Sequence, residues 1–159
     1  MASLEQEVGS LLRQKGLTLG VVESATGGLI SHLITNVPGS SDYYVGTVVA
    51  YSNEAKINVV GVKRDIVNHY GSVSSQVAEE MAAGGRKVLA VDICLADTGT
   101  AGPGGATPEK PVGLFYTGLS HQGGIFSRKH IFKGDREQNK RSAAETALNW
   151  LKEYLVGLG

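Results

Sequence analysis

Apolar residues recur every three or four positions in four stretches of the chain, which is the spacing that one face of an α-helix requires. These amphipathic stretches cover residues 3–15, 26–37, 75–88 and about 136–156. Gly16 follows the first stretch and Asp135 precedes the last, and both residue types are common at helix ends. The pattern therefore predicts four helices, with Ser74 or Ser75 as the cap of the third.

Five shorter runs rich in Val, Ile, Leu, Thr and Tyr predict β-strands. The runs cover residues 17–22, 43–51, 90–96, 112–120 and 124–132. Between the second and third runs we expect two short helices over 54–60 and 63–70, the first capped by Asn53. Helices and strands alternate early, and the last two strands form a hairpin. This order predicts one domain over residues 1–159, folded as a three-layer α/β/α sandwich with a mixed, mostly parallel sheet.

Composition narrows the function classes. The chain has 159 residues, 15 Lys and Arg against 15 Asp and Glu, and a single cysteine, Cys94. A duplex-DNA binder normally has an excess of basic residues, a membrane span needs about 20 apolar residues in a row, and a disulfide framework needs paired cysteines. Because the amphipathic, acidic N-terminus also differs from a signal peptide, we expect a cytoplasmic domain.

The segment Glu23-Ser24-Ala25-Thr26-Gly27-Gly28 stands between a predicted strand and a predicted helix. A serine there lies at the carboxyl end of a strand, where open α/β sheets bind ligands. The helix start behind it offers unpaired N–H groups, and Gly27 and Gly28 leave them unobstructed. Such a place suits a phosphate or the oxyanion of an acyl transfer. An equally weighted reading makes Ser24 or Thr26 an ordinary helix cap.

A serine nucleophile needs a base. Histidine is the usual one, but none of the four lies in a catalytic or metal-ligand motif, and we expect surface or packing roles for His32, His69, His121 and His130. A lysine serves when desolvation lowers its pKa. Lys56, in the segment Tyr51-Ser52-Asn53-Glu54-Ala55-Lys56, follows a strand as Ser24 does. An isolated lysine is far more often a solvated surface residue, and only this company favours Lys56.

Two further segments carry candidate chemistry. The glycine-rich loop 98–105 makes room for a ligand against backbone, but it lacks the dinucleotide and Walker patterns and could be a plain surface connection. Arg136 is predicted in the first turn of the last helix, where the helix dipole favours an acid. A cation there suggests a demand from a phosphate, a carboxylate or developing negative charge, with a solvated arginine as the alternative.

Four of these segments together resemble the CinA C-terminal domain family, whose stand-alone members include nicotinamide-nucleotide amidohydrolases. The resemblance extends from about Leu4 to Leu155. The segments that carry it are Glu23-Ser24-Ala25-Thr26-Gly27-Gly28, Tyr51-Ser52-Asn53-Glu54-Ala55-Lys56, Gly99-Thr100-Ala101-Gly102-Pro103 followed by Lys110-Pro111-Val112-Gly113, and Gly134-Asp135-Arg136.

The resemblance implies hydrolysis of nicotinamide mononucleotide (NMN) to nicotinate mononucleotide and ammonia, by a Ser/Lys mechanism without a metal or other cofactor. Ser24 is then the nucleophile, Lys56 the general base, Tyr51 an accessory hydroxyl, and Arg136 the residue that orients substrate or stabilises charge. Arg141 is the less certain alternative to Arg136.

Substrate contacts follow from the same segments. On physical grounds we assign the oxyanion hole to the backbone N–H groups around Thr26, Gly27 and Gly28. The remaining substrate-binding candidates are Asn53, Gly99, Thr100, Ala101 and Gly102, and the cations available for the phosphate are Arg136, Arg141 and Lys110.

The chain departs from the family pattern at Ala25, where many members have cysteine. No thiol is then available beside Ser24. Longer members also carry an N-terminal nucleotide-pyrophosphatase domain, so only the amidohydrolase activity transfers to this chain, and the metal requirement of that domain does not.

Two readings of another class stay open. The chain could be a nucleotide-binding regulatory module without chemistry, or an interaction domain of a DNA-uptake or damage response. We expect a small-molecule substrate and a homo-oligomer, and neither a nucleic-acid nor a membrane partner. The hydrolase reading predicts that Ser24 Oγ and Lys56 Nζ lie about 2.6–3.2 Å apart, or somewhat further apart without a ligand.

Overall fold

A computed structural model describes residues 1–159 and places five strands in one sheet. The strands are β1 (Leu19–Glu23), β2 (Tyr44–Val49), β3 (Ile93–Gly99), β4 (Leu114–His121) and β5 (Gly124–Ile131). The helices are α1 (Leu4–Lys15), α2 (Leu29–Thr35), α3 (Asn53–Asn58), α4 (Arg64–Tyr70), α5 (Ser75–Leu89) and α6 (Arg136–Gly157), with a 3₁₀ turn at Ser40–Asp42. No helix has the length and apolar character that crossing a membrane requires.

The strand order in the sheet is β2-β1-β3-β4-β5. β1 pairs in parallel with both β2 and β3, and the pairs β3–β4 and β4–β5 are antiparallel. Four strands therefore run in one direction and β4 alone runs against them, which confirms the predicted mixed, mostly parallel sheet. The carboxyl ends of β1, β2 and β3 meet at one edge, where ligand sites of such sheets form.

Alternating side chains of the central strands bury against helices on the two faces of the sheet. Leu19 and Val21 of β1 join a cluster with apolar residues of α1, α2 and α6, whereas Val22 joins a second cluster with α5. Because side chains alternate across a strand, the buried run of β1 feeds both clusters. The predicted three-layer architecture is confirmed.

Local chemistry explains most helix boundaries. Gly16 takes the left-handed conformation after α1, and Asp135 caps α6 by accepting the N–H of Gln138. Of the two candidate caps for α5, Ser74 is the one that accepts a backbone N–H. The predicted cap of α3 was wrong: the Ser52 hydroxyl accepts the Ala55 N–H at 3.1 Å, and Asn53 is the first helical residue.

The largest error in the predicted elements concerns β3, which ends at Gly99 and not at Ala96. Pairing with β4 continues to Gly99 opposite Phe115. A Cβ at position 99 would lie 2.3 Å from the Phe115 ring, so glycine allows the two strands to approach there. Asp97 therefore lies inside a buried strand, whereas the sequence pattern placed it at the start of a loop.

Candidate active site

An open cavity of about 310 Å³ lies where the carboxyl ends of β1 and β3 meet. Its walls are the turn after β1, the start of α3, Ser72 and Val73, residues 98–105 and the side chain of Arg136. Cavities of this size hold small molecules. Three of the four motif segments therefore meet at the predicted edge of the sheet, together with Arg136 from the fourth.

Ser24 and Lys56 form a buried hydrogen bond at this cavity. The Lys56 Nζ atom lies 2.9 Å from Ser24 Oγ and 3.0 Å from the backbone oxygen of Tyr51. Ser24 is 6% exposed and Lys56 2% exposed. The predicted distance between the two atoms is confirmed, and a solvated surface lysine is excluded.

The fold keeps the Lys56 amine away from water without giving it a salt bridge. Burial lowers the pKa of this amine below its usual value, and the negative charge of Asp97 acts in the opposite direction. A lowered pKa increases the fraction of neutral amine, which is the form that accepts a proton. The arrangement can therefore supply a base to the serine hydroxyl.

The turn between β1 and α2 differs from the expected oxyanion hole. The Thr26 N–H bonds to Asp97, the Gly28 N–H to Glu23 and the Gly27 N–H to the Ser24 carbonyl oxygen. Since these three donors are already occupied and the residues lie outside the cavity wall, the assignment to Thr26, Gly27 and Gly28 is corrected. Two buried carboxylates, which the sequence pattern did not reveal, take the N–H groups.

Ala25 retains a free donor in the same turn. Its N–H has no hydrogen-bond acceptor within the protein, and the residue lines the cavity directly after Ser24. A backbone N–H next to the nucleophile is a common oxyanion donor in acyl transfer. The available donor is therefore one residue upstream of the predicted set.

Glu23 closes the start of α2. This fully buried carboxylate accepts the N–H groups of Gly28, Ile30 and Ser31 at 2.9–3.2 Å, and the hydroxyls of Thr26 and Ser31. Neither Ser24 nor Thr26 is therefore the cap of this helix. An acidic residue that ends an otherwise apolar strand was the only sequence signal for this role.

Asp97 anchors the turn from the neighbouring strand. Its carboxylate is 1% exposed and accepts the Ser24 N–H at 3.0 Å, the Thr26 N–H at 3.2 Å and the Thr26 hydroxyl at 2.5 Å. Burial raises the pKa of Asp97 to about 6, against the opposing effect of these hydrogen bonds. Asp97 lies behind the nucleophile and not in the cavity wall.

The glycine-rich loop is held in place by α6. The buried Asn139 side chain donates to the Ala101 oxygen at 3.0 Å and accepts the Gly134 N–H at 2.9 Å. Arg136 donates to the Gly102 oxygen at 2.7 Å. Gly99, Thr100, Ala101 and Gly102 line the cavity as expected for ligand-contacting residues, and Asn53 lines it from α3.

The two candidate arginines have different surroundings. Arg136 crosses from the first turn of α6 to the cavity, where its second guanidinium nitrogen lies 3.3 Å from the exposed Tyr51 hydroxyl. Arg141 is half-exposed, pairs with Glu145 at 3.1 Å and does not reach the cavity. Lys110 donates to the Tyr70 oxygen. The assignment of Arg141 and Lys110 to the ligand is thereby corrected, because each contacts a different part of the protein.

The histidines lie outside the cavity wall. His121 stacks on Tyr154 and Phe126, and His130 stacks on Phe132. No group of three or more His, Cys, Asp and Glu side chains is close enough to hold a metal ion. Lys56 is therefore the titratable side chain in contact with the Ser24 hydroxyl.

Comparison with known proteins gives one consistent result. The family model described as the CinA C-terminal domain matches residues 1–155. A relative from Halothermothrix orenii, whose name includes the words competence-damage inducible protein, is 49% identical over 154 residues. A CinA-like protein from Dictyoglomus thermophilum is 46% identical over 156 residues. These alignments cover 96% and 98% of this chain but only 37% and 38% of the relatives, so the chain spans little more than a third of their length.

Solved structures agree over almost the whole chain. A competence-damaged protein (CinA) superfamily protein from Klebsiella pneumoniae 700603 superposes with a TM-score of 0.94 at 30% identity, over 97% of this chain and 96% of that one. A competence/damage inducible protein from Agrobacterium tumefaciens gives a TM-score of 0.87 at 31% identity, over 95% of each chain.

Proposed function

The chain belongs to the CinA C-terminal domain family, and we propose that it hydrolyses the carboxamide of NMN to nicotinate mononucleotide and ammonia. The observation that carries this proposal is the 2.9 Å contact between Ser24 Oγ and the buried Lys56 amine at the cavity. The choice of NMN rests on the family resemblance of the motif segments. The chemistry of the pair supports amide hydrolysis more generally.

In the first half of the reaction, neutral Lys56 takes the proton of the Ser24 hydroxyl as the serine oxygen attacks the carboxamide carbon. A tetrahedral intermediate forms, and its negative oxygen needs a hydrogen-bond donor. The unoccupied Ala25 N–H is the donor next to the nucleophile. Protonated Lys56 then gives its proton to the amide nitrogen, the carbon–nitrogen bond breaks, and ammonia leaves an ester on Ser24.

In the second half, water takes the place of ammonia. Lys56 accepts a proton from the water as the water oxygen attacks the ester carbon, and it returns that proton to the Ser24 oxygen. The ester bond breaks and nicotinate mononucleotide is released. No proton is gained or lost by Lys56 over the cycle, because each transfer to the amine is matched by one from it.

The remaining cavity residues serve binding. The backbone of residues 99–102 forms a wall without bulky side chains, and Arg136 is the cation at the cavity, suited to an anionic group of the substrate. The carbonyl of Tyr51 fixes the Lys56 amine, and the Tyr51 hydroxyl contacts Arg136 at the rim.

Ammonia release from NMN, compared between the wild-type chain and Ser24→Ala, tests the proposal. We expect turnover by the wild type and a loss of at least about 10³-fold in the variant, because the alanine cannot form the ester. Asp92→Asn is the matched control, since Asp92 is an exposed residue at the opposite end of the sheet. Ser24→Ala turnover within tenfold of the wild type would contradict the mechanism.

The two alternatives predict different results in the same assay series. Tight NMN binding by a well-folded wild type without ammonia release would favour a regulatory binding module. DNA binding that weakens steeply with added salt would favour a DNA-interaction domain, since phosphate contacts release counterions.

A further inference from the structure

Asp97 holds both ends of the short turn that carries the nucleophile. One carboxylate oxygen accepts the Ser24 N–H and the other accepts the Thr26 N–H. The backbone of Ser24 is therefore fixed from β3 while its side chain faces Lys56 on the cavity side. A displacement of Asp97 would move the serine oxygen relative to the amine, and catalysis is sensitive to shifts of about 1 Å.

Asp97 is also the carboxylate whose charge acts on Lys56. Its negative charge favours the protonated amine, against the larger effect of burial. Lys56 forms no salt bridge, so this effect acts without direct contact. The charge state of Asp97 therefore bears on the pH at which Lys56 becomes neutral.

Thr26 couples Asp97 to a second buried carboxylate. The single Thr26 hydroxyl lies 2.5 Å from an Asp97 oxygen and 2.7 Å from a Glu23 oxygen. A hydroxyl has one proton to donate, so only one of these two contacts is a full hydrogen bond when both carboxylates are ionised. Glu23 accepts three backbone N–H groups, which favours its ionised form, and any proton held by the pair then falls to Asp97.

Few other charges surround Asp97. The residue opposite it on β4 is Thr117, and the α5 side chains packed on the sheet are apolar. From α6, Arg136 reaches the cavity and the Lys140 amine approaches Gly27. The charged groups to be considered in a titration are therefore Glu23, Lys56, Arg136 and Lys140.

We propose that Asp97 is a positioning residue, which fixes Ser24 through its backbone and sets the pH at which Lys56 acts as a base. This inference rests on the proposed hydrolysis for its effect on rate. The effect on the amine itself does not require any substrate.

The test is the pH dependence of kcat/KM for NMN hydrolysis in the wild type and in Asp97→Asn. Activity requires neutral Lys56 and so falls at low pH. Removing the negative charge makes the amine easier to deprotonate, and the acidic limb should move to lower pH by about one unit. The altered support of Ser24 should also reduce kcat by about tenfold with little change in KM. A lower kcat with the limb unmoved would overturn the proposal, since it would indicate a structural role only.

Direct titration of Lys56 separates this inference from the proposed function. NMR of the chain with labelled lysine side chains, recorded without substrate, should give a lower titration midpoint for Lys56 in Asp97→Asn than in the wild type. Asp92→Asn, a carboxylate removed from the other end of β3, should leave the midpoint in place. An equal midpoint in Asp97→Asn overturns the inference whether or not the wild type hydrolyses NMN.

If Asp97→Asn does not fold, Thr26→Val provides the second variant. Without the hydroxyl donor, the ionised form of Asp97 is less favoured, so the limb and the Lys56 midpoint should move the same way by a smaller amount. Thr26→Ser, which restores a hydroxyl, should move both back towards the wild-type values. A Thr26→Val midpoint equal to that of the wild type would contradict the proposed coupling.

Discussion

Two aspartates of β3 accept hydrogen bonds from residues on or beside β1, one at each end of the strand, in very different surroundings. Asp92 precedes β3, is exposed, and accepts the N–H and hydroxyl of Thr18 at 2.9 and 3.1 Å. Asp97 lies near the end of β3, is buried, and accepts the N–H groups of Ser24 and Thr26. The same type of contact fixes the neighbouring chain segment at both ends.

The difference lies in what burial adds. At the exposed end, water screens the Asp92 charge, and the hydrogen bonds contribute only to holding the strands together. At the buried end, desolvation raises the pKa of Asp97, and its charge acts on a buried amine that contacts a serine hydroxyl. The buried end combines a structural contact with control of a titratable group, which is how active sites differ from ordinary sheet ends.

The largest expected effect is on turnover at the buried end. Lys56→Met keeps a side chain of similar length but removes the proton acceptor, and we expect kcat/KM for NMN to fall by about 10³-fold. Thr18→Val at the exposed end should leave kcat/KM within about twofold, because Thr18 lies far from the cavity. Substantial NMN hydrolysis by Lys56→Met would remove the functional contrast between the two ends.

The next effect is on stability. The pKa of Asp97 is raised from 3.8 to about 6 in the folded chain, so the folded state binds the proton more tightly than the unfolded state. This stabilising contribution is fully present below pH 3.8 and is lost as pH rises through about 6, a change of about 3 kcal/mol in the free energy of unfolding.

Denaturant unfolding across this pH window measures the contribution as the difference between wild type and Asp97→Asn. The difference should change by about 3 kcal/mol between pH 3.8 and pH 7, whereas the difference between wild type and Asp92→Asn should stay nearly constant. Parallel pH profiles for wild type and Asp97→Asn would show that burial does not distinguish the two aspartates.

The smallest effect concerns the rim of the cavity. Arg136→Ala removes the cation that contacts Gly102 and Tyr51, and we expect KM for NMN to rise by about tenfold with a smaller change in kcat. Arg141→Ala is the matched control on the same helix, since Arg141 pairs with Glu145 outside the cavity. Equal effects of the two substitutions on KM would argue against a binding role for Arg136.

Much of the fold followed from local sequence patterns. The amphipathic periods, the stop at Gly16 and the cap at Asp135 depend on neighbouring residues, and the structure confirms them. The closeness of Ser24 and Lys56 was also predictable, because both follow parallel strands whose carboxyl ends meet at one edge.

The supporting residues could not be predicted, because their roles depend on contacts distant in sequence. Asp97 precedes threonine and glycine, a pattern typical of loops, and only its pairing with β4 keeps it in a strand. Asn139 belongs to a helix with a polar face, and nothing local indicates that it binds the loop at Ala101. The N–H groups of the turn were expected to be free, since no sequence pattern shows that Glu23 and Asp97 accept them.

The central claim is that Ser24 and Lys56 act as one catalytic unit, and a double-mutant cycle on ammonia release from NMN tests it most directly. Residues that act together lose their function together, so Ser24→Ala/Lys56→Met should be no slower than the slower of the two single variants. Losses that multiply in the double variant, or a single variant that keeps wild-type turnover, would contradict the account.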